Sequence, residues 1–331
     1  VLQNAAVYIV SPMAWLIIAT TTLQQFGITK VVRIFVWLAL AAVLSVAMFF
    51  FAFLTFGQEA VSFLTEEANV NLEGGYAGAF ILVYGSLIFL SGAVFAEPNV
   101  LKNRLVRILL PGLLVITAIT SGRSALILAI PVGFLFGSLV RSRTAAFTSA
   151  EERSSFFLPT LLIAMIMFVA VAVIDIFVDR IDLTIIFTEF FDELSSGGGS
   201  LRTDQMTALI QGILDTYGLG AGHGIGVDYI RNYDFPWRYE VIPLATLYRV
   251  GVIGTVVYTL IFIVYGLAFA QKLESQTLRE EDVFMAGGFI AAAIAVFTNP
   301  YIESFIFQWM YFIPVLSIGV AGLDKPMAGN R

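Results

Sequence analysis

Long apolar runs broken by short polar turns set the pattern of this chain. A transmembrane helix needs about 20 mostly apolar residues. On that measure the runs predict nine spans, at 5–25, 34–57, 77–96, 108–120, 122–140, 156–178, 241–270, 283–299 and 303–322. The fourth and fifth meet in a tight turn at Ser121–Arg123, and the seventh is long enough that its first turns are expected above the bilayer. The fold class is therefore an all-α polytopic membrane protein. Residues 1–178 are expected to hold the first six transmembrane helices, 179–240 a large periplasmic loop with amphipathic helices, and 241–331 the last three transmembrane helices.

Composition agrees with lipid as the surroundings. The chain has 331 residues, 59% hydrophobic and only 13% charged, whereas soluble proteins carry about a quarter charged residues. A net charge of −6 argues against nucleic acid as a partner. The absence of cysteine excludes disulfides, zinc thiolates and iron–sulfur centres. Basic residues orient the spans. Lys30, Arg33, Lys102, Arg104, Arg107, Arg141, Arg143, Arg153, Lys272, Arg279, Lys325 and Arg331 fall in alternate loops, which are assigned to the cytoplasm. This places Val1 outside, so an odd number of spans is expected upstream of it.

The polar stretches differ in character. The acidic segment 58–76, the linker Arg141–Ser155 and the turn Arg279–Asp282 read as solvated faces. The loop 179–240 is richer. It opens with DRIDLTIIFTEFFDEL, which suits an amphipathic helix at the bilayer surface. The hinge Ser195–Ser200 follows. Met206, Leu209, Ile210, Ile213 and Leu214 then recur at helical spacing with one buried face. Arg202 stands at the start of that helix, where the positive end favours anions. The helix ends at Tyr217-Gly218, and GLGAGHGIG permits positive φ and close backbone approach to a ligand.

The six cations left outside are all arginines: Arg123, Arg180, Arg202, Arg231, Arg238 and Arg249. That can follow from topology alone. It also suits phosphate, which guanidinium grips through two parallel hydrogen bonds. Arg123 reads either as an interfacial side chain snorkelling to headgroups or as an anion clamp, and its tight turn favours the clamp. His223, the lone histidine, reads first as a hydrogen-bonded structural residue and makes a poor metal site by itself. Glu240 begins the last outer helix, with Leu244, Leu247 and Gly251 on the same face and Gly254 close by. It can complement the helix dipole or accept a proton. Arg249, deeper in the same helix, needs an acidic partner or an anionic ligand. D-x-D, H-E-x-x-H and Walker A motifs are absent, which argues against metal-held nucleotide sugars, zinc proteolysis and ATP-driven pumping.

Taken together, the SGR span end, the arginine-led outer helix, the YGLGAGHGIG turn and a polar residue ahead of GxxG resemble the O-antigen ligase/O-antigen polymerase superfamily of bacterial envelope glycosyltransferases. The resemblance covers roughly Ile108–Asn299. In ligases of that family a histidine stands eleven positions before the first glycine of GxxG. Here Gly251 and Gly254 supply the glycines, and Glu240 occupies the histidine's place.

The resemblance implies a multi-pass protein of the bacterial inner membrane, with its active site facing the periplasm. Glu240 would be the catalytic base. Arg123, Arg202 and Arg249 would bind a diphosphate, and His223, Tyr229 and Arg238 are further candidates for substrate binding. The implied donor is a glycan on undecaprenyl diphosphate, the acceptor a glycan or lipid, and membrane lipids the surroundings. No cofactor or metal is expected. Polymerase chemistry is the first expectation. A ligase of the same superfamily and a transporter or flippase of anionic glycolipid are the alternatives.

Overall fold

The computed structural model describes residues 6–57, 59, 81–121, 124–144, 200–230 and 237–319. The described residues form helices and turns, with no strand among them. Eight α-helices occur in chain order: α1 (Ser11–Phe56), α2 (Ile81–Ala96), α3 (Arg104–Thr120), α4 (Ser124–Arg143), α5 (Ser200–Asp215), α6 (Ile242–Glu274), α7 (Glu280–Ala295) and α8 (Trp309–Ser317). Among the described residues three helical stretches are long and apolar enough to cross a membrane: Ala6–Ala52, Ala125–Arg143 and Ile242–Glu274. They mark a membrane protein. The span expected at 156–178, and the loop residues before Ser200, lie outside the described residues.

α1 comprises two helices that meet at a kink at Gly27, with φ 70° and ψ 161°, between the first two expected spans and with no intervening loop. Glycine tolerates that conformation because it has no Cβ. Near the C-terminus the described residues of the expected span 303–322 form the end of one 3₁₀ turn, Tyr301–Glu303, a second, Phe305–Phe307, and the short α8.

The chain divides into two compact units. One contains most of α1, α2, α3, α4 and the start of α7. Its centre is α2, where Leu87, Ile88, Phe89, Ala93 and Val94 are fully buried. Small residues allow the backbones to touch, as in membrane helix packing generally. A Cβ on Gly133 of α4 would lie 2.3 Å from the Gly92 carbonyl oxygen, and one on Gly287 of α7 would lie 2.2 Å from Ala96 Cβ. At the end of α2, Arg141 donates to the Ala96 carbonyl at 2.8 Å and to Glu97 at 3.1 Å. Arg141 thus both caps the helix and neutralises a carboxylate with no solvent exposure. Burial pushes the Glu97 carboxyl above its ordinary range, and the Arg141 charge opposes that shift.

The other unit gathers the start of α1, α5, α6 and the C-terminal turns. Ser11 donates to Gln308 at 2.5 Å and Trp15 to the Phe305 carbonyl at 2.6 Å. These bonds tie the first turns of α1 to the turn region before α8. All the described candidate residues lie in this unit.

Candidate functional site

The site is built around a break in α6. The helix starts at Ile242 with Pro243 in its first turn, a position where the missing amide donor costs nothing. It is interrupted at Gly251, with φ 67° and ψ −175°. An interrupted helix leaves carbonyls and amides without their usual partners. The glycine-rich turn supplies them. Ala221 and Gly222 amides donate to the Tyr248 and Arg249 carbonyls, each at 2.8 Å, and the Val252 amide donates to the Gly218 carbonyl at 2.9 Å.

The two segments touch through bare backbone. A Cβ on Gly251 would lie 2.5 Å from the Leu219 carbonyl carbon, and one on Gly220 would lie 2.6 Å from the Gly251 amide nitrogen. The positive φ expected of this turn is present at Gly218, Gly220, Gly222 and Gly224, and at Gly220 the missing Cβ also admits the backbone of α6.

Burial changes at the same point. Before the break Ile242, Ala245, Tyr248 and Arg249 are buried. After it Val252, Ile253, Val256, Val257 and Leu260 are exposed apolar side chains. The stretch from Val252 to Glu274 is 23 residues, about 34 Å of helix at 1.5 Å per residue, enough for a hydrocarbon core of about 30 Å. The part of α6 after the break is therefore long enough by itself to cross a membrane.

Helix α5 packs on the first turns of α6. Leu209, Tyr239, Ala245 and Tyr248 form a small core, with Ile213 and Val227 against it. Gly212 lets α5 approach, since a Cβ there would lie 2.7 Å from the Tyr248 ring. Gln205 is 1% exposed, and its carbonyl accepts the Glu240 and Val241 amides at 2.7 and 3.0 Å. It thereby fixes the backbone of Glu240 where α6 begins.

Arg202 donates from Nε to Glu240 Oε2 at 2.8 Å, and the two side chains are 18% and 17% exposed. The pair is partly buried, and an incoming anion would have to displace the carboxylate from Arg202. Glu240 precedes the helix rather than riding on it, so the face it was expected to share with Gly251 does not exist. The interruption at Gly251 breaks that register as well.

Arg249 is placed differently. Its side chain is 1% exposed, and Nη1 lies 2.5 Å from Glu303 Oε1. Nη1 also donates to the Tyr8 hydroxyl and Nη2 to the Trp237 carbonyl, the latter at 2.5 Å. Tyr8 in turn donates to Glu303 at 2.5 Å. Glu303 is the acidic partner that so deep a cation requires. An external phosphate would have to displace it.

His223 lies against this cluster, its ring 4.3 Å from that of Tyr8 and Nε2 3.1 Å from the Tyr258 hydroxyl. Burial, then the Arg249 charge, push its pKa below the ordinary histidine value, with Glu303 opposing. Tyr239 bridges the two clusters. It adjoins Glu240 in sequence, accepts the Val227 amide at 2.7 Å, and has the Arg249 guanidinium 5.7 Å from its ring centre. Tyr229 is half-buried, Arg238 is exposed, and Arg123 lies outside the described residues.

Sequence reasoning missed Glu303, Gln205 and Tyr8. A deep arginine signalled an acidic partner or an anionic ligand without saying which. Nothing local pointed to a carboxylate 54 positions away. Among the described residues no group of three or more histidine, aspartate or glutamate side chains could hold a metal ion. No family model matches the chain, and no curated protein or solved structure matches it.

Proposed function

We propose that the chain is a polysaccharide polymerase of the bacterial inner membrane. In this reading it has nine spans and a large periplasmic loop, and it acts on the periplasmic face. The donor is a glycan on undecaprenyl diphosphate and the acceptor a sugar hydroxyl. The hydroxyl oxygen attacks the anomeric carbon, the bond to the diphosphate oxygen breaks, and the hydroxyl proton passes to Glu240. A single displacement inverts the anomeric centre. The leaving diphosphate needs its charge neutralised rather than a proton, and preorganised arginines supply that.

The observation that carries the reading is the Arg202–Glu240 pair, a guanidinium and a carboxylate 2.8 Å apart and partly buried where α6 begins. Diphosphate takes Arg202 through charge-assisted hydrogen bonds of about 1.5–3 kcal/mol each. In this reading those bonds replace the one to Glu240 and free its carboxylate for the hydroxyl. Arg123 is the second diphosphate receptor in this reading. Replacing Arg123, Arg202 or Glu240 by alanine abolishes chain extension in cells while the protein stays in the membrane. Full extension in Glu240→Ala removes the base.

A ligase of the same superfamily differs in product. It moves preassembled chains to a lipid or protein acceptor, where a polymerase yields a ladder. One observation favours the transporter reading: α6 is interrupted beside a buried ionic cluster, as in transporters whose discontinuous helices frame a substrate site. Conversion of lipid-linked glycan by purified protein in detergent, with no second compartment, separates enzyme from transporter.

A further inference from the structure

Helix α5 has three faces rather than two. Gln205 and Leu209 point into the protein and are buried. Asp204, Thr207, Gln211 and Asp215, at helical spacing, form an exposed polar stripe, and Gln211 donates to Asp215 at 2.8 Å. Between these faces runs a third stripe, Met206, Ile210, Leu214 and Tyr217, apolar yet exposed. Its exposure rises along the chain, from 41% at Met206 to 63% at Leu214 and 90% at Tyr217, and Leu219 beyond it is 78% exposed. The stripe was expected to be part of the buried face, but only Leu209 and Ile213 of that set pack on the core.

The stripe leads to a specific place. Gly218, between Tyr217 and Leu219, accepts the Val252 amide at 2.9 Å, and a Cβ on Gly218 would lie 3.5 Å from Val252 Cγ2. Val252 and Ile253, 57% and 78% exposed, begin the apolar surface of the membrane-spanning part of α6. The exposed stripe of α5 is thus continuous with a surface that faces lipid. A helix with one apolar flank and one polar flank partitions at the boundary between acyl chains and headgroups. Tyrosine, apolar in body and polar at its tip, suits that depth.

We propose that the C-terminal end of α5 and the Tyr217–Leu219 turn are seated in the bilayer, with acyl chains covering Leu214, Tyr217 and Leu219. The polar stripe from Asp204 to Asp215 faces water. The turn that holds the α6 break together is thereby wedged at the membrane surface, and Arg202, at the other end of α5, stands further from the hydrocarbon.

The chain has no cysteine, so single-cysteine variants of the full chain can be labelled at one chosen position. An environment-sensitive fluorophore is placed at Leu214, Tyr217, Leu219, Gln211 and, as a reference in the span itself, Val256. The proteins are reconstituted in vesicles containing acyl-chain nitroxide lipids, with iodide as the aqueous quencher. Labels at Tyr217 and Leu219 are expected to match Val256 in lipid quenching and to resist iodide. Leu214 is expected to be intermediate, and Gln211 open to iodide. Iodide quenching at 217 and 219 equal to that at Gln211 overturns the proposal. So does protection of 217 and 219 that disappears as protein is diluted in the bilayer, because a second copy is then the cover. Loss of lipid quenching at Val256 instead overturns the spanning assignment of α6, a separate failure. Variants are compared only after their thermal unfolding in detergent matches that of the unlabelled chain.

Discussion

Glu303→Ala tests the ionic cluster at the α6 break. The substitution leaves the Arg249 guanidinium with the Tyr8 hydroxyl and Trp237 carbonyl but no opposite charge. Both side chains of the pair are at most 5% exposed and lie 2.5 Å apart, so water cannot replace the lost partner. Breaking a buried pair from one side costs about 3–5 kcal/mol. A pair near 4 Å at an effective dielectric of about 20 attracts by about 4 kcal/mol, which agrees.

Removing both charges is a different perturbation. Arg249→Met with Glu303→Leu fills the space with apolar atoms and leaves no unpaired ion, so the double variant is expected to recover most of the loss. The assay is denaturant or thermal unfolding of the full chain in detergent, followed by tryptophan fluorescence. Trp237 is held to the cluster through its backbone carbonyl. A loss under about 1 kcal/mol in Glu303→Ala, or a double variant as unstable as the two single losses combined, refutes the assignment of this pair as a sealed structural contact.

Other outcomes follow from the same coordinates. Gly251→Ala is expected to cost more than Gly222→Ala in thermal unfolding. Both positions have positive φ, worth about 1–2 kcal/mol, but only Gly251 also meets backbone, at 2.5 Å. Gly133→Val is expected to disrupt the contact of α4 with α2, because its first added carbon already lies 2.3 Å from the Gly92 oxygen. Limited proteolysis in detergent reads that loss. For His223 the folded state favours the neutral ring through burial and the Arg249 charge. Its contribution to stability is therefore present above the unfolded value of about 6.5 and is lost as pH falls through the lower folded value. His223→Gln is expected to flatten the unfolding profile below pH of about 6.5, and an unchanged profile rejects the shift. Glu240→Gln keeps shape and hydrogen bonding but loses the proton acceptor, so glycan transfer is expected to fall by about 100-fold or more with folding unaffected.

What could be read from the chain alone was whatever depended on local pattern. Apolar runs located α1, α4 and α6, and the 3.6-residue period located α5 around Leu209 and Ile213. Arg249 signalled an acidic partner or an anionic ligand because a deep cation cannot stay unpaired. The rest depended on long-range contact. Glu303 and Tyr8 reach Arg249 from opposite ends of the chain, and no spacing rule joins them. Gln205 looks like an ordinary helix residue until the start of α6 is laid against it. The break at Gly251 was hidden because GxxG is compatible with an unbroken helix. Only the amides and carbonyls of residues 218–222 make the interruption stable. Met206, Ile210 and Leu214 obey the helical period, but period does not say whether an apolar stripe meets protein or lipid.

The most direct measurement is mass analysis of the products formed when purified full-length protein in detergent meets a defined undecaprenyl-diphosphate-linked repeat unit. Wild type is expected to yield a ladder with inverted linkages, and Arg202→Ala and Glu240→Gln, equally well folded, to yield none. A ladder of the same length and rate from Glu240→Gln, or no product from the wild-type chain, contradicts the account.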